Sequence, residues 1–213
     1  MRSLALPGIR NLVAIGAHPD DIEIAVGGTL LTLAKTNPGV RVTYALATGS
    51  PDRVAEAHSA ARAFLPGAEL TFVQHELPDS RLPAHWNAVK EFLGEVVSVA
   101  GEPDLVLCPA RHDAHQDHRL LAELVPTSFR DALALHYEIP KWDGDLGRPH
   151  LYVALDNEVA RHKVALLHEH FPSQKARDWW DDEVFLGLAR LRGMECRSRY
   201  AEAFWTTKAR LSF

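Results

Sequence analysis

The sequence predicts an α/β fold, a mostly parallel sheet between two layers of helix with strand order 3-2-1-4-5, and three observations carry that prediction. Short runs rich in Val, Ile and Leu recur at residues 12–17, 40–47, 70–73 and 105–108, the pattern of strands buried on both faces. Segments of helical periodicity separate them, at residues 29–35, 54–65 and 86–100, the last with Val89, Phe92, Leu93, Val96 and Val97 on one stripe. Polar clusters follow the first and fourth runs directly. Open parallel sheets carry their chemistry at the carboxyl ends of strands, where the strand order reverses. In the order 3-2-1-4-5 that point lies between the first and fourth strands, so residues just after Ala17 and just after Ala110 should meet.

The remaining elements follow in turn. A fifth strand is expected over residues 133–139, ending at Pro140, and the Gly, Pro and Asp content of residues 141–149 marks a loop, either a plain connection or a lid. A further apolar run covers residues 151–155, and residues 158–170 and 182–192 read as helices. The 213 residues suffice for one substantial core, so one domain over residues 1–213 is expected. No internal repeat interrupts it.

Composition removes several classes of function. No tract is apolar enough to span a membrane, and the apolar start of the chain runs straight into His18 and carboxylates, as a strand does and a signal peptide does not. Cys108 and Cys196 stand far apart without Cys-x-x-Cys spacing, which argues against a disulfide framework or a thiolate zinc site and suits a reducing cytoplasm. A net charge of -5 argues against nucleic acid as partner. The anomaly is histidine, twelve in all.

In the first cluster, His18-Pro19-Asp20-Asp21, the histidine and Asp21 are three apart with proline suited to a first helical position, so both side chains can converge. Adjacent Asp20 then points elsewhere, leaving one carboxylate for a metal and one to take a proton from water. The same residues also suit a plain helix start, with acidic groups against the dipole. Gly27-Gly28 counts against that plainer reading, since the pair would interrupt such a helix after two turns and fits a tight passage into a following one.

The second cluster packs His112, Asp113, His115, Asp117 and His118 into seven residues after a predicted strand. His115 and His118, ahead of apolar Leu120, Leu121, Leu124 and Val125, can share one face of a helix start. Catalytic zinc takes three protein ligands and keeps a position for water; His18, Asp21 and one of these histidines make three. Asp117 beside His115 suits a carboxylate that fixes an imidazole tautomer. His112 and Asp113 would lie behind the ligands. A solvated polar turn is the plain alternative.

These residues resemble the PIG-L or LmbE type of zinc-dependent de-N-acetylase. Ala17-His18-Pro19-Asp20-Asp21, running on into Gly27-Gly28-Thr29-Leu30, is similar to that family's Ala-His-Pro-Asp-Asp-Glu signature, and His115-Gln116-Asp117-His118 to its His-Pro-Asp-His element. Arg53 with Glu56-Ala57 resembles its Arg-x-x-Glu-Ala, and Leu77-Pro78-Asp79 a later loop, so the likeness covers most of residues 11–125. Ile22 stands where the signature often has Glu, with Glu23 one place later, and Gln116 replaces proline. The resemblance implies a Rossmann-like sheet and one Zn2+ per chain held by His18, Asp21 and His118. It implies Asp20 as general base, protonated His115 with Asp117 as the pair that stabilises the oxyanion and protonates the amine, and Arg53 as a substrate contact. The implied reaction releases acetate from an N-acetylated amino sugar or its conjugate.

Two other classes compete. A nucleotide-binding module would use the same alternation of strands and helices, but no G-x-G-x-x-G follows the first strand. A two-metal phosphoesterase would need more carboxylates than these clusters hold. Trp142, Trp179, Trp180 and Trp205 offer flat apolar faces to a sugar ring, to the core, or to a second subunit of a homo-oligomer.

Overall fold

A computed structural model describes residues 2–6 and 8–211. Seven strands form a single sheet in the order β3-β2-β1-β4-β5-β7-β6. Strands β1 (Asn11–Gly16), β2 (Arg41–Leu46), β3 (Glu69–Gln74), β4 (Leu105–Pro109) and β5 (Leu133–Tyr137) run parallel in the expected order 3-2-1-4-5. Beyond them β7 (Tyr200–Trp205) lies antiparallel between β5 and β6 (Leu151–Leu155), so the sheet is mixed.

Alternate residues of β1 supply both cores. Leu12 and Ala14 face the helices α1 (Asp21–Thr36), α2 (Pro51–Phe64) and α5 (Asn157–His170), while Val13 and Ile15 face α3 (Trp86–Ala100) and α4 (Gln116–Ser128). Burial on both sides is why the strand reads as an unbroken apolar run. The last helix, α6 (Asp182–Cys196), packs on β7 and extends beyond the 182–192 expected for it.

One expectation holds and one changes. A short first helical segment is interrupted just ahead of the glycine pair, at the non-helical Val26 (φ -128°, ψ 15°), and α1 resumes through Gly27 and Gly28. What the glycines provide is close approach, because a Cβ on Gly27 would lie 2.6 Å from the Phe64 ring and one on Gly28 2.5 Å from Leu155. The change is β7, a strand with no counterpart among the apolar runs. Its Glu202 is buried and accepts from Lys163 Nζ (2.6 Å), Gly28 N–H (2.8 Å) and Thr29 N–H (2.7 Å), which caps the resumption of α1 after Val26.

Candidate active site

The order reversal between β1 and β4 brings the loop after β1 against the start of α4. Asp21 Oδ2 accepts the N–H groups of Ala17 and His18, both at 2.9 Å, which closes the chain into a tight turn. That turn places His18 Nδ1 3.6 Å from Asp21 Oδ2 and 3.1 Å from His118 Nε2, while His118 Nε2 lies 3.3 Å from the same Asp21 oxygen. Ligands about 2.0–2.2 Å from a tetrahedral zinc stand about 3.3–3.6 Å from one another. The three atoms therefore have the spacing of one face of such a site.

The outer nitrogens of both rings are occupied in the sense this requires. His118 Nδ1 pairs with Asp113 Oδ2 at 2.9 Å, and His18 Nε2 with Asp79 Oδ1 at 3.0 Å and Asp117 Oδ2 at 3.3 Å. Each ring donates outward to a carboxylate and turns its other lone pair inward. Burial alone would depress both imidazoles, but Asp21 and the flanking carboxylates carry His18 up to about 12 and His118 to about 9. Two rings that face each other across 3.1 Å cannot both present a proton there. A metal ion between the rings would take the place of those protons. Burial would raise Asp21, yet His118 and His18 hold its carboxyl well below the usual range.

Asp20 faces differently from its neighbour Asp21. It occupies the N-cap of α1 with φ 123° and ψ -25°, a conformation that costs an L-residue about 1–3 kcal/mol, and its side chain caps no helical N–H. Arg53 holds it instead, with Nη2 donating to Asp20 Oδ2 at 2.7 Å and to the Pro19 carbonyl. Burial outweighs Arg53 and lifts this carboxyl to about 7. Arg53 Nε is buried without a partner, so the guanidinium keeps unused donor capacity.

His115 and Asp117 do not form the side-chain pair expected of them. His115 is the N-cap of α4, and its Nδ1 accepts the Asp117 backbone N–H at 3.2 Å, which leaves the ring proton on Nε2. The Asp117 carboxylate turns away to His18 and to the Leu82 N–H at 3.0 Å. Burial and the neighbouring His118 and His18 lower the His115 pKa. It stacks on His118 at 4.6 Å and meets His18 edge-on at 4.8 Å.

His18, His115 and His118 can each offer an atom within 4.8 Å of the others, and so can His18, Asp79, His115 and Asp117. The two groupings share His18 and His115, so among the described residues they do not supply two complete sets of ligands. Asp113 does lie behind His118, whereas His112 packs edge-on against Trp205 at 4.4 Å. In the sequence Asp79 stands out only as part of the Leu77-Pro78-Asp79 motif. Lys141, which reaches Asp113 Oδ1 at 3.0 Å, carried no signal at all, being one lysine at the edge of a loop.

Residues 13–129, more than half of the chain, match the PIG-L family, described as GlcNAc-PI de-N-acetylase. The chain belongs to this family. Its place among the PIG-L proteins makes it a deacetylase. An uncharacterized deacetylase of Escherichia coli, YaiS, is 26% identical over 172 residues, covering 76% of this chain and 90% of that one. Among solved structures, the N,N'-diacetylchitobiose deacetylase of Pyrococcus horikoshii superposes with a TM-score of 0.71 at 21% identity, covering 93% and 84% of the two chains. GalB of Pseudomonas putida, a 4-carboxy-2-hydroxymuconate hydratase, also reaches 0.71, at 16% identity over 96% and 99%. One fold thus carries two kinds of reaction, and the chemistry must be argued from family and site.

The four C-terminal tryptophans separate in this PIG-L chain. Trp180 is core, against Phe171 and Phe185, and Trp179 is half-buried beside it. Trp205 ends β7 and donates to the Arg148 carbonyl. Only Trp142 is broadly exposed, at 63%, in the loop after β5.

Proposed function

We propose that the chain is a zinc-dependent hydrolase that removes an acetyl group from the nitrogen of an amino sugar or amino-sugar conjugate. The observation that carries the zinc requirement is the trio His18 Nδ1, Asp21 Oδ2 and His118 Nε2, spaced 3.1 to 3.6 Å apart with both outer ring nitrogens on carboxylates. Zinc held there supplies a Lewis acid for the amide carbonyl and a water whose pKa falls from about 15.7 toward 7.

The chain's own residues supply the rest. Asp20, lifted to about 7 by burial, takes the proton of the attacking water and returns it to the departing nitrogen, so one carboxyl serves as base and then acid. His115 donates from Nε2 to the carbonyl oxygen as negative charge gathers on it, a bond that strengthens in the transition state. Asp113 and Asp117 keep His118 and His18 turned with their lone pairs inward. Arg53 steadies Asp20, and its side chain, 25% exposed, is the contact for a substrate hydroxyl or phosphate.

The family's own description and the diacetylchitobiose deacetylase among the neighbours support an N-acetylated sugar as substrate. Two free cysteines, one of them buried, support a cytoplasmic setting. The reading is tested by two variants. Asp20→Asn should keep one zinc per chain and lose about 100- to 10,000-fold in the rate of acetate release, and His118→Ala should lose the zinc. Full activity in either variant, or two zinc ions per wild-type chain, would overturn these assignments.

A further inference from the structure

We propose that Lys141, on the loop after β5, is a positioning residue for the metal site, setting the orientation of His118 through Asp113; this rests on the reading of His118 as a ligand. The ε-ammonium is nearly buried between Asp113 Oδ1 at 3.0 Å and Asp145 Oδ2 at 2.7 Å. A carboxylate can turn about its terminal bond, so which oxygen faces the histidine depends on what holds the other. Here Oδ1 is held twice, by Lys141 Nζ and by the His115 backbone N–H at 2.8 Å, and Oδ2 is left for His118 Nδ1.

The charge points the same way. Asp113 is 3% exposed, and a carboxylate so far from water needs a cation beside it. Among the described residues the charged partners of its carboxylate are Lys141 and His118 itself. Arg119 reaches the backbone carbonyls of Asp113 and Ala114 and not the Asp113 carboxylate. Without Lys141, His118 would be the sole group left to balance Asp113, and its ring would be drawn toward that oxygen and away from Asp21.

A plain tether for the loop is the rival explanation, and the structure gives the loop other tethers. Asp145 accepts the Ala114 N–H at 2.6 Å, Arg192 Nη2 donates to the Gly147 carbonyl at 3.0 Å, Trp205 Nε1 to Arg148 at 2.9 Å, and Trp142 Nε1 to Asp178 at 3.0 Å. The Lys141–Asp113 contact is the one that continues into the site.

The test compares Lys141→Met, Lys141→Gln, Lys141→Arg and Asp145→Asn with wild type, by chelator competition for Zn2+ and by the visible spectrum of the Co2+-substituted protein. Losing a group that orients a ligand costs about 10- to 100-fold in metal affinity. Lys141→Met and Lys141→Gln should weaken Zn2+ binding about tenfold or more and shift the Co2+ bands, Lys141→Arg should restore both, and Asp145→Asn should change neither. Gln keeps a donor without the charge, so it decides the matter if the Met variant does not fold. Wild-type affinity in the Met or Gln variant overturns the inference, as does an equal loss in Asp145→Asn, which would make Lys141 a tether. If wild type itself binds no zinc, the reading of the site falls first and this inference with it.

Discussion

Glu202 is a carboxylate on a buried strand position, and replacing it with glutamine tests how the first helix is held over the site. The side chain accepts three bonds, from Lys163 Nζ, Gly28 N–H and Thr29 N–H, and both members of the ion pair are at most 8% exposed. Glutamine has one acceptor oxygen. It can keep Gly28 and Lys163 on that oxygen, but its NH2 then abuts the Thr29 N–H, and a buried donor left without a partner costs about 1–3 kcal/mol. The larger loss is at Lys163, whose ammonium stays buried with no countercharge; removing one partner of such a pair costs about 3–5 kcal/mol. These losses overlap, so the expected total for Glu202→Gln is about 3–5 kcal/mol. Lys163→Met should cost less, because Glu202 retains both backbone donors. At an m-value of about 3 kcal/mol/M the glutamine variant should unfold about 1–1.7 M earlier in urea. A shift below about 0.5 M at that slope, or a greater loss for Lys163→Met, would refute the view that the carboxylate both caps the resumed helix and neutralises the lysine.

Two further outcomes follow from burial and packing. Glu23 is fully buried, its two oxygens accept from Tyr44 Oη at 2.9 and 3.2 Å, and burial lifts its carboxyl to about 8. The folded protein therefore keeps a proton that the unfolded chain gives up above pH 4.5, so this stability is whole below 4.5 and lost as pH rises through about 8. In metal-free protein the loss should be on the order of 5 kcal/mol; Glu23→Gln should flatten the profile and unfold later than wild type above pH 8, and parallel profiles would refute it. In α6, a Cβ on Gly193 would sit 2.6 to 2.7 Å from the backbone of Arg199 and Tyr200, whereas one on Gly187 meets nothing within 4 Å. Gly193→Ala should lose about 1–3 kcal/mol and Gly187→Ala gain up to about 1 kcal/mol; thermal midpoints moving in the same direction would show that space is not what decides.

Which parts of the molecule the sequence discloses depends on whether a signal is local. Strands β1, β2, β4 and β5 lie where apolar runs predict them, and the two polar clusters meet because each directly follows one of these strands. The helix from Trp86 to Ala100 matches its expected bounds because its stripe of Val89, Phe92, Leu93 and Val96 is complete. Strand β7 escaped notice for a physical reason: Glu202 in YAEAFW looks like a surface residue, and only the fold supplies the lysine and the two N–H groups that let it be buried. Gly27-Gly28 marks the interruption at Val26 locally, whereas the packing that requires the pair, against Phe64 and Leu155, lies far away in sequence.

The site divides along the same line. The spacing of His18 to Asp21 is enforced by two backbone N–H groups within four residues, so a short motif discloses that turn. Which histidine Asp117 serves is settled by residues a hundred positions apart: its neighbour His115 takes the backbone N–H, and the carboxylate is left for His18. Spacing alone cannot make that choice, because a residue one or two places away is a poor side-chain partner at a helix start. The outcome matters chemically. With Asp117 on His18 and Asp113 on His118, both inward lone pairs are fixed by carboxylates, while His115 Nδ1 is taken up by a backbone N–H and its Nε2 is left for the oxyanion role proposed for it.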